Sequence, residues 1–292
     1  VWVKRRRGWA NMEVRLEDLV AKVEDLPALP VVVGQVMRLT EDPDSTAMDL
    51  GAVIGRDQAL TARVLRLANS AYYGFPRRVA TVTEAVVLLG FNTIRNLVLA
   101  ASVSNVLLRE APGYQLARGE LWRHSLTSAM AARLLARKVR YRGAEEAFVA
   151  GLLHDIGKLV LSQYVGETYA QIWERVTQER LPFMEAERAA LGFDHAQAGG
   201  LVAEKWNLPE ALVKAVSLHH QPAAATKQPM LAVLAHAGDA LALMLGAGLG
   251  ADGLNYPLDA EAVAGIGLTE ESMEEVLTEL ADSLADEASY QP

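Results

Sequence analysis

The sequence predicts an all-α protein, and three observations lead to that prediction. Apolar residues recur at positions i, i+3, i+4 and i+7 in several runs, which is the spacing of one buried helix face. Strict apolar–polar alternation, typical of a half-buried strand, is nearly absent, and the short candidate at Val79–Val82 is interpreted as a loop. Proline and glycine separate the runs. We therefore expect roughly a dozen helices joined by short loops.

Four apolar stripes mark the predicted helices. Their members are Leu16, Leu19, Val20 and Val23; Leu60, Val64, Leu67 and Ala68; Ile94, Leu97, Val98 and Ala101; and Met273, Val276, Leu277, Leu280 and Leu284. Thr269 precedes the last stripe, and its hydroxyl suits a helix N-cap. Glu270 and Glu271 follow it, where negative charge suits the first turn of a helix.

Pro112-Gly113 divides the chain into two predicted helical subdomains. The first, at 16–113, contains no histidine, whereas the second, at 114–240, contains all six. Residues 241–292 are expected to form an acidic extension whose C-terminal helix packs against the body. Residues 1–15 are interpreted as a basic, disordered tail, or as extra residues upstream of a natural start near Met12. A hook for a membrane or a nucleic acid is the less favoured alternative, because an isolated run of four basic residues is a weak signal.

The composition excludes several classes of protein. With 292 residues, of which 51% are hydrophobic, the chain is long enough to bury a core. It has no cysteine, so disulfides, thiolate-bound clusters and a thiol nucleophile are excluded, and any metal must bind to nitrogen and oxygen. The net charge of −8 argues against a general nucleic-acid binder. Because we find no secretory signal and no run of about 18 apolar residues, we expect a cytoplasmic protein that does not enter a membrane.

Side chains that bind metals are concentrated in the second subdomain. A single histidine is more often a packed or surface residue than a ligand, so the indication comes from the group rather than from one member. The group consists of His124, His154, Asp155, His219, His220 and Asp239, with Glu120 and His195 as further candidates. Imidazole and carboxylate groups are ligands of first-row metals. The alternative is the silent relic of a metal site.

Asp155 is the candidate for a bridging ligand, because it directly follows His154 at the end of an apolar run. In binuclear phosphoesterases, two metals activate water and clamp a phosphoryl oxygen. Lys158 follows one turn later, where its charge could neutralise a phosphate. Asp155 and Lys158 are therefore the candidate catalytic residues. His236 fits the set least well and is interpreted as a residue of the core or one that supports a ligand.

Two groups of motifs resemble known families. The run GLLHDIGKLVL at 151–161 resembles the HD signature of metal-dependent phosphohydrolases. From about residue 17 to about 240, the chain resembles the HDOD domain (HD-related output domain) of bacterial signalling proteins. The motifs are Leu26-Pro27-Ala28-Leu29-Pro30, Asp42-Pro43 with Ser45, Asp57 with Leu60-Thr61-Ala62, Leu65-Arg66-Leu67-Ala68-Asn69-Ser70-Ala71-Tyr72, Glu84-Ala85 and Leu89-Gly90. Gln58 departs from the family pattern, which usually has proline there.

The resemblance implies two packed helical subdomains, the second an HD-like bundle, and a regulatory role in bacterial signal transduction. By comparison with the HD-GYP phosphodiesterases, it implies a di- or tri-metal site with Lys158 as its lysine. The implied ligands are Glu120, His124, His154, Asp155, His195, His219, His220 and Asp239. Iron or manganese is the expected divalent metal. After His219-His220 the chain reads QPAAATKQP, without the GYP segment, so the resemblance does not extend to cyclic di-GMP hydrolysis.

The favoured interpretation is a regulatory HDOD protein with a retained metal site, whose partner is a signalling protein in trans or a nucleotide signal. The alternative is a metal-dependent phosphohydrolase that acts on a nucleotide, a cyclic dinucleotide or another phosphoester. A third hypothesis is nucleic-acid binding through basic and aromatic residues of the first subdomain. These residues are Arg56, Arg63, Arg66, Arg77, Arg78, Tyr72, Tyr73 and Phe75. A solvated, salt-bridged face explains the arginines more simply, so no nucleic-acid partner is expected.

Overall fold

Helices account for all the regular secondary structure of the described residues, as the sequence predicts. The computed structural model describes the backbone of residues 16, 28–70, 73–162, 165–225, 229–250 and 257–284, and their side chains except at 165–171. Within these ranges the helices are α1 (Val31–Glu41), α2 (Ala47–Ile54), α3 (Gln58–Ala68), α4 (Val82–Leu89), α5 (Phe91–Leu107), α6 (Glu120–Lys138), α7 (Ala144–Leu153), α8 (Gly157–Ser162), α9 (Val165–Gln178), α10 (Phe183–Leu191), α11 (His195–Lys205), α12 (Glu210–Ser217), α13 (Pro229–Met244), α14 (Ala260–Gly265) and α15 (Glu270–Leu284). Short 3₁₀ turns lie at Pro112–Tyr114 and Pro222–Ala224.

The helices of the described ranges outnumber the predicted dozen because short turns divide several apolar runs. Gly90 separates α4 from α5 with a φ of 83°, a conformation that suits glycine. The turn at 154–156 separates α7 from α8 in the same way. Each of these turns redirects the chain within two or three residues, which apolar periodicity alone does not reveal.

Side-chain caps define where the first helices begin. Thr46, Asp57 and Thr81 each accept a hydrogen bond from a backbone N–H in the first turn of α2, α3 and α4. Because Asp57 forms the cap, Gln58 is the first residue of α3, where proline is tolerated but not required. Residues 79–81 of the predicted loop at Val79–Val82 lie in a loop, whereas Val82 is the first residue of α4, because Thr81 caps the helix.

Helix α5 is the centre of the N-terminal half. Helices α1, α3 and α4 pack against it, and α2 packs against α4. The stripe of α3 (Leu60, Val64, Leu67 and Ala68) and the stripe of α5 (Ile94, Leu97, Val98 and Ala101) are both buried, as their spacing predicts. This half supplies an apolar platform on which α6 and α7 rest through α5.

Helices α6, α7 and α13 form the centre of the C-terminal half. Two glycines allow them to approach closely, because a Cβ at Gly151 of α7 or at Gly238 of α13 would lie 2.7 Å from the carbonyl oxygen of Ser128 on α6. Such a short distance excludes any side chain at these two positions. The close packing brings His124 of α6, the C-terminal end of α7 and Asp239 of α13 to one place.

The acidic C-terminal helix α15 packs against α6. Val276 and Leu280 are buried, and the N–H of Ser272 donates to the hydroxyl of Thr269 at 3.2 Å. The predicted stripe and N-cap of this helix are therefore confirmed. Within the part of the chain that the structure describes, no helix is both long and apolar enough to cross a membrane.

Several predictions concern residues outside the described ranges. They are the basic tail at 1–15, the stripe members Leu19, Val20 and Val23, and the motif residues Leu26, Pro27, Ala71 and Tyr72. Buried apolar residues from before and after Pro112 belong to one continuous core cluster. The division into subdomains at this point stays a prediction.

Candidate metal centre

Histidine and aspartate side chains from three helices and two turns meet in the core of the C-terminal half. Helix α6 contributes His124, the turn after α7 contributes His154 and Asp155, and α8 contributes Lys158. His195 begins α11, His219 and His220 follow α12, and Asp239 lies on α13. All of these side chains are buried except that of His220, which is half-buried.

The first group of ligand atoms surrounds one oxygen of Asp155. The Nε2 atoms of His124 and His154 both lie 3.2 Å from Asp155 Oδ2. The same two atoms lie 3.0 and 3.6 Å from Asp239 Oδ1. Two imidazoles and two carboxylates thus converge from three helices, and this donor set suits a first-row metal ion.

The second group surrounds the other oxygen of Asp155. His195 Nε2 lies 3.4 Å from Asp155 Oδ1, and His219 Nε2 lies 3.8 Å from it. His220 Nε2 lies 2.8 Å from His195 Nε2, so three imidazoles face this oxygen or one another. One ligand atom from each of His195, His219 and His220 falls within 4.8 Å of the others.

Asp155 therefore stands between the two groups with one oxygen directed to each. Its Oδ1 atom and the Nε2 atom of His219 are buried and lack hydrogen-bond partners among the described residues. A buried polar atom without a partner is costly, and a metal ion would satisfy both atoms. The residues consequently fit a site for two metals with Asp155 as the bridging ligand.

Backbone carbonyl groups set the orientation of three imidazoles. The Nδ1–H groups of His124, His154 and His219 donate to the carbonyl oxygens of Ala247, Gly151 and Val216 at 2.9, 2.7 and 2.8 Å. A carbonyl only accepts, so each ring carries a proton on Nδ1, and Nε2 is the ring atom that faces the centre and is left to bind a metal. Such outer partners are typical of histidines that bind metals.

Glu187 orients the imidazole of His195 in a similar way, and the sequence analysis did not identify this residue. Its Oε2 accepts from His195 Nδ1 at 2.7 Å and from His195 N at 3.1 Å, while its Oε1 accepts from the hydroxyl of Tyr114. Glu187 is fully buried. The signal in the sequence is its position four residues from both Phe183 and Leu191, which places this acid on the apolar face of α10.

Gly157 positions α8 against the helix that carries His195. A Cβ at Gly157 would lie 1.9 Å from the carbonyl oxygen of His195 and 2.6 Å from Gly199 N. No side chain fits between these backbones, so the glycine two residues after Asp155 permits the contact of α8 with α11. The local motif His154-Asp155-Ile156-Gly157 thus brings both metal groups together.

A sequence model of the HDOD domain matches residues 26–222, more than half of the chain. The chain belongs to the HDOD family. A crystal structure of an HDOD domain protein of unknown function from Geobacter sulfurreducens is similar, with a TM-score of 0.75, 26% identity and coverage of 96% of this chain and 98% of that one. A structure named "Putative phosphohydrolase" from Shewanella amazonensis SB2B gives a TM-score of 0.70, 27% identity and coverage of 93% and 96%.

A curated relative is an uncharacterized protein from Treponema pallidum (strain Nichols), which is 26% identical over 236 residues. The match includes 78% of this HDOD chain and 45% of the relative. The chain thus spans about half the length of the curated relative that it matches.

The charges of this HDOD centre compensate one another. Burial by itself lowers the pKa of His154, but Asp155 and Asp239 raise it to about 10. Burial likewise lowers the pKa of His195, whereas Glu187 and Asp155 raise it to about 9. Burial also lowers the pKa of His124, but hydrogen bonds to Asp155 and Asp239 raise it above its ordinary value. In the metal-free protein, these imidazoles and the ammonium group of Lys158 therefore offset the charge of the buried carboxylates.

The pKa values of the two aspartates and of the two other histidines depend on the same balance between burial and neighbouring charges. Burial raises the pKa of Asp155 and Asp239, but the positive charge of His154 and hydrogen bonds from the histidines hold both values well below 3.8. Burial, together with neighbouring imidazoles, holds the pKa of His219 and His220 well below 6.5. These two histidines are neutral and ready to act as ligands.

Lys158 is a partner of the bridging carboxylate. Its Nζ donates to Asp155 Oδ2 at 2.5 Å and lies 5.7 Å from the ring centroid of Tyr114. The side chain of Lys158 is only 6% exposed, so its ammonium group lies inside the core. The ammonium group can neutralise the negative charge of Asp155 or bind an anionic group that enters the centre.

Two further predicted residues lie at the edge of the centre. Glu120 begins α6, and its carboxylate accepts from Ala117 N at 2.5 Å, outside both groups of ligand atoms. Its role as a ligand stays a prediction. His236 Nδ1 donates to the carbonyl oxygen of His219 at 2.8 Å, and its Nε2 accepts from Asp259 N at 2.9 Å. This position behind His219 agrees with its interpretation as a supporting residue.

Proposed function

We propose that this chain is a regulatory HDOD protein that holds two divalent first-row metal ions, iron or manganese, and acts on a signalling partner. The observation that carries the proposal is Asp155, whose two oxygens face two separate groups of ligand atoms. His124, His154 and Asp239 would hold one ion, and His195, His219 and His220 the other. Nitrogen and oxygen donors of this kind suit both metals.

The burial of the centre supports a regulatory role rather than turnover. His154, Asp155 and His219 are each at most 1% exposed. Lys158, which would meet a phosphate in an enzyme, already donates to Asp155. A metal held in this way would stabilise the contacts among α6, α7, α11 and α13, so metal occupancy would alter the surface that these helices present to a partner.

A second candidate function is metal-dependent phosphoester hydrolysis. The bridging position of Asp155 and the nearby ammonium group of Lys158 favour it, as does the similarity to a structure named as a phosphohydrolase. In such an enzyme the metals would supply Lewis acidity. Lys158 would orient the phosphoryl group, and half-buried His220 would lie on the side from which a substrate enters.

Metal analysis of the full chain, purified without chelators, tests the shared part of both functions. We expect about two first-row metal ions per chain by mass spectrometry, as a site with four ligands in each group predicts. Protein that contains no transition metal, and binds none when manganese or ferrous iron is added, would contradict both functions.

Turnover distinguishes the two functions. The metal-loaded chain is assayed against bis(p-nitrophenyl) phosphate and a panel of nucleotides and cyclic dinucleotides. The regulatory proposal predicts bound metal with no hydrolysis above that of the His154→Ala variant. Hydrolysis that the wild-type chain performs and His154→Ala does not would establish the enzyme and overturn the regulatory proposal.

A further inference from the structure

A second potential binding site lies in the N-terminal half, between the C-terminal end of α3 and the loop that leads to α4. It is a cleft of about 400 Å³, and no residue of the metal centre lines it. The lining residues are Arg66, Asn69, Ser70, Gly74, Phe75, Pro76, Arg77 and Arg78. This volume falls within the range of about 300–1,000 Å³ that small-molecule sites occupy.

The cleft concentrates positive charge on an acidic protein. Arg66, Arg77 and Arg78 are all exposed and converge on one opening, in a chain whose net charge is −8. Glu84 pairs with Arg77 at 2.7 Å. Arginine presents a planar fork of donors that matches phosphate oxygens. The charges point to a phosphorylated ligand.

An aromatic surface stands beside these arginines. Phe75 is half-buried and stacks on Tyr73, with ring centroids 6.4 Å apart and an angle of 11° between the planes. Phe75 lines the cleft, and its ring, supported by Tyr73, provides a surface on which a nucleobase can stack. Groups suited to phosphate recognition and to base stacking thus line one cleft.

The loop that forms the cleft is fixed at both ends. Asn69 Nδ2 donates to the carbonyl oxygens of Leu65 and Val79 at 2.7 and 2.9 Å, and Val79 N donates to Asn69 Oδ1 at 2.7 Å. The hydroxyl of Tyr73 accepts from Arg133 Nη1 at 3.1 Å, which ties the loop to α6. Because Asn69, Tyr73 and Val79 are held before a ligand arrives, less ordering entropy is lost at these residues on binding.

We propose that this cleft binds a nucleotide, with its phosphates on Arg66, Arg77 and Arg78 and its base against Phe75. The site is separate from the metal centre and does not depend on the proposed function. A single-stranded nucleic acid shares this chemistry, but it is usually bound along an extended basic groove. Three arginines around one cleft of about 400 Å³ suit a single nucleotide better.

Calorimetric titration of the full, metal-loaded chain tests the proposal with AMP, GMP, ATP, GTP and inorganic pyrophosphate as separate probes. We expect at least one nucleotide to bind in the micromolar range. The double variant Arg66→Ala/Arg78→Ala should weaken that binding at least about tenfold, the effect of losing charge-assisted hydrogen bonds. The matched control is Arg56→Ala, which removes an exposed arginine outside the cleft and should leave the affinity unchanged.

Two further variants locate the ligand. Phe75→Ala should weaken the binding of the nucleotide more than that of pyrophosphate, because only the nucleotide has a base to stack. Asp155→Asn should leave the affinity of the cleft unchanged, whereas loss of binding in that variant would assign the nucleotide to the metal centre and overturn the proposal. Melting curves establish that each variant is folded.

Three other results would overturn the proposal. The first is the absence of binding for every probe at about 1 mM, which corresponds to a binding free energy weaker than that of an ordinary specific site. The second is an affinity that the double variant does not change. The third is tight, salt-dependent binding of a single-stranded RNA 10-mer with no binding of mononucleotides, which would indicate a nucleic-acid surface instead.

Discussion

The two halves of the protein bury different kinds of polar groups. In the described part of the N-terminal half, the buried polar residues are Ser70, Asn96 and Ser104, and none of them carries a charge. In the C-terminal half, the buried polar and charged residues include His124, Arg133, His154, Asp155, Lys158, Glu187, Asp194, His195, His219, His236 and Asp239. One half is built as an apolar platform, and the other places an ionic network in its core.

This difference shows which half is shaped by stability and which by chemistry. Burying an ion costs several kcal/mol unless it is paired and hydrogen-bonded, so an ionic core is a poor way to stabilise a fold. The C-terminal half keeps such a core by close pairing of His154 with Asp155 and of His195 with Glu187. Substitutions in the two halves should therefore have separable effects on unfolding and on metal binding.

The largest effect is expected for Asp155→Asn, which removes the bridging charge from both groups of ligands. Metal content should fall from about two ions per chain to nearly none, since each group loses a shared ligand and the imidazolium groups lose their counter-ion. Mass spectrometry of the purified protein measures this loss. Asp44→Asn, a change in an exposed turn of the N-terminal half, is the control. Equal metal content in the Asp155→Asn and wild-type chains would show that Asp155 is not a ligand.

Leu60→Ala should show the opposite pattern. Leu60 is 1% exposed in the stripe of α3, so the truncation should lower the free energy of unfolding by about 2–5 kcal/mol. The metal content of the folded fraction should stay the same, because none of the proposed ligands lies in this half. Chemical denaturation and metal analysis of the same sample measure the two quantities. Metal loss from folded Leu60→Ala protein would contradict the separation of the two halves.

Glu187→Gln should weaken the second metal group without removing it. The variant keeps a hydrogen-bond acceptor for His195 but loses the charge that favours its orientation and basicity, a change that costs about 10- to 100-fold in metal affinity. Competition with a chromophoric chelator measures the affinity. Glu185→Gln, an exposed acid on the same helix, is the matched control. If both variants bind metal equally, the hydrogen bond of Glu187 is structural only.

The smallest effect concerns pH and the metal-free chain. The folded pKa values of His154 and His195 are about 10 and 9, above the ordinary value of 6.5. The contribution of these two protonated histidines to the free energy of unfolding is thus complete below about pH 6.5. It is lost as the pH rises through about 9 to 10. The melting temperature of the metal-free chain should fall over that interval, whereas the metal-loaded chain should change less. Metal affinity should rise between pH 6 and 9, since binding displaces these protons.

Much of the architecture could be predicted from the sequence because it depends on local periodicity. The stripes of α3, α5 and α15 place their apolar residues toward the core, as their spacing indicates. Thr269 caps α15 because a hydroxyl at that position reaches the N–H of Ser272. Capping and amphipathicity involve neighbours within one or two turns, so a single sequence carries enough information to predict them.

The residues that orient the histidines of the centre could not be predicted from the sequence. Glu187 and Tyr114 are 73 residues apart and meet only because α10 packs near the 3₁₀ turn that contains Tyr114. The orientation of His124 depends on the carbonyl of Ala247, which is 123 residues away. Contacts of this range leave no periodic signal in one sequence.

The sequence by itself determined the helical class, the absence of thiolate ligands and the set of imidazole and carboxylate groups available for a metal. Residue type and local spacing settle these properties before the chain folds. The tertiary structure alone decided which oxygen of Asp155 faces which histidines, that Lys158 is used on Asp155, and that three arginines surround one cleft. Those outcomes depend on how closely helices approach, and glycines such as Gly151, Gly157 and Gly238 set that distance through contacts between segments far apart in the chain.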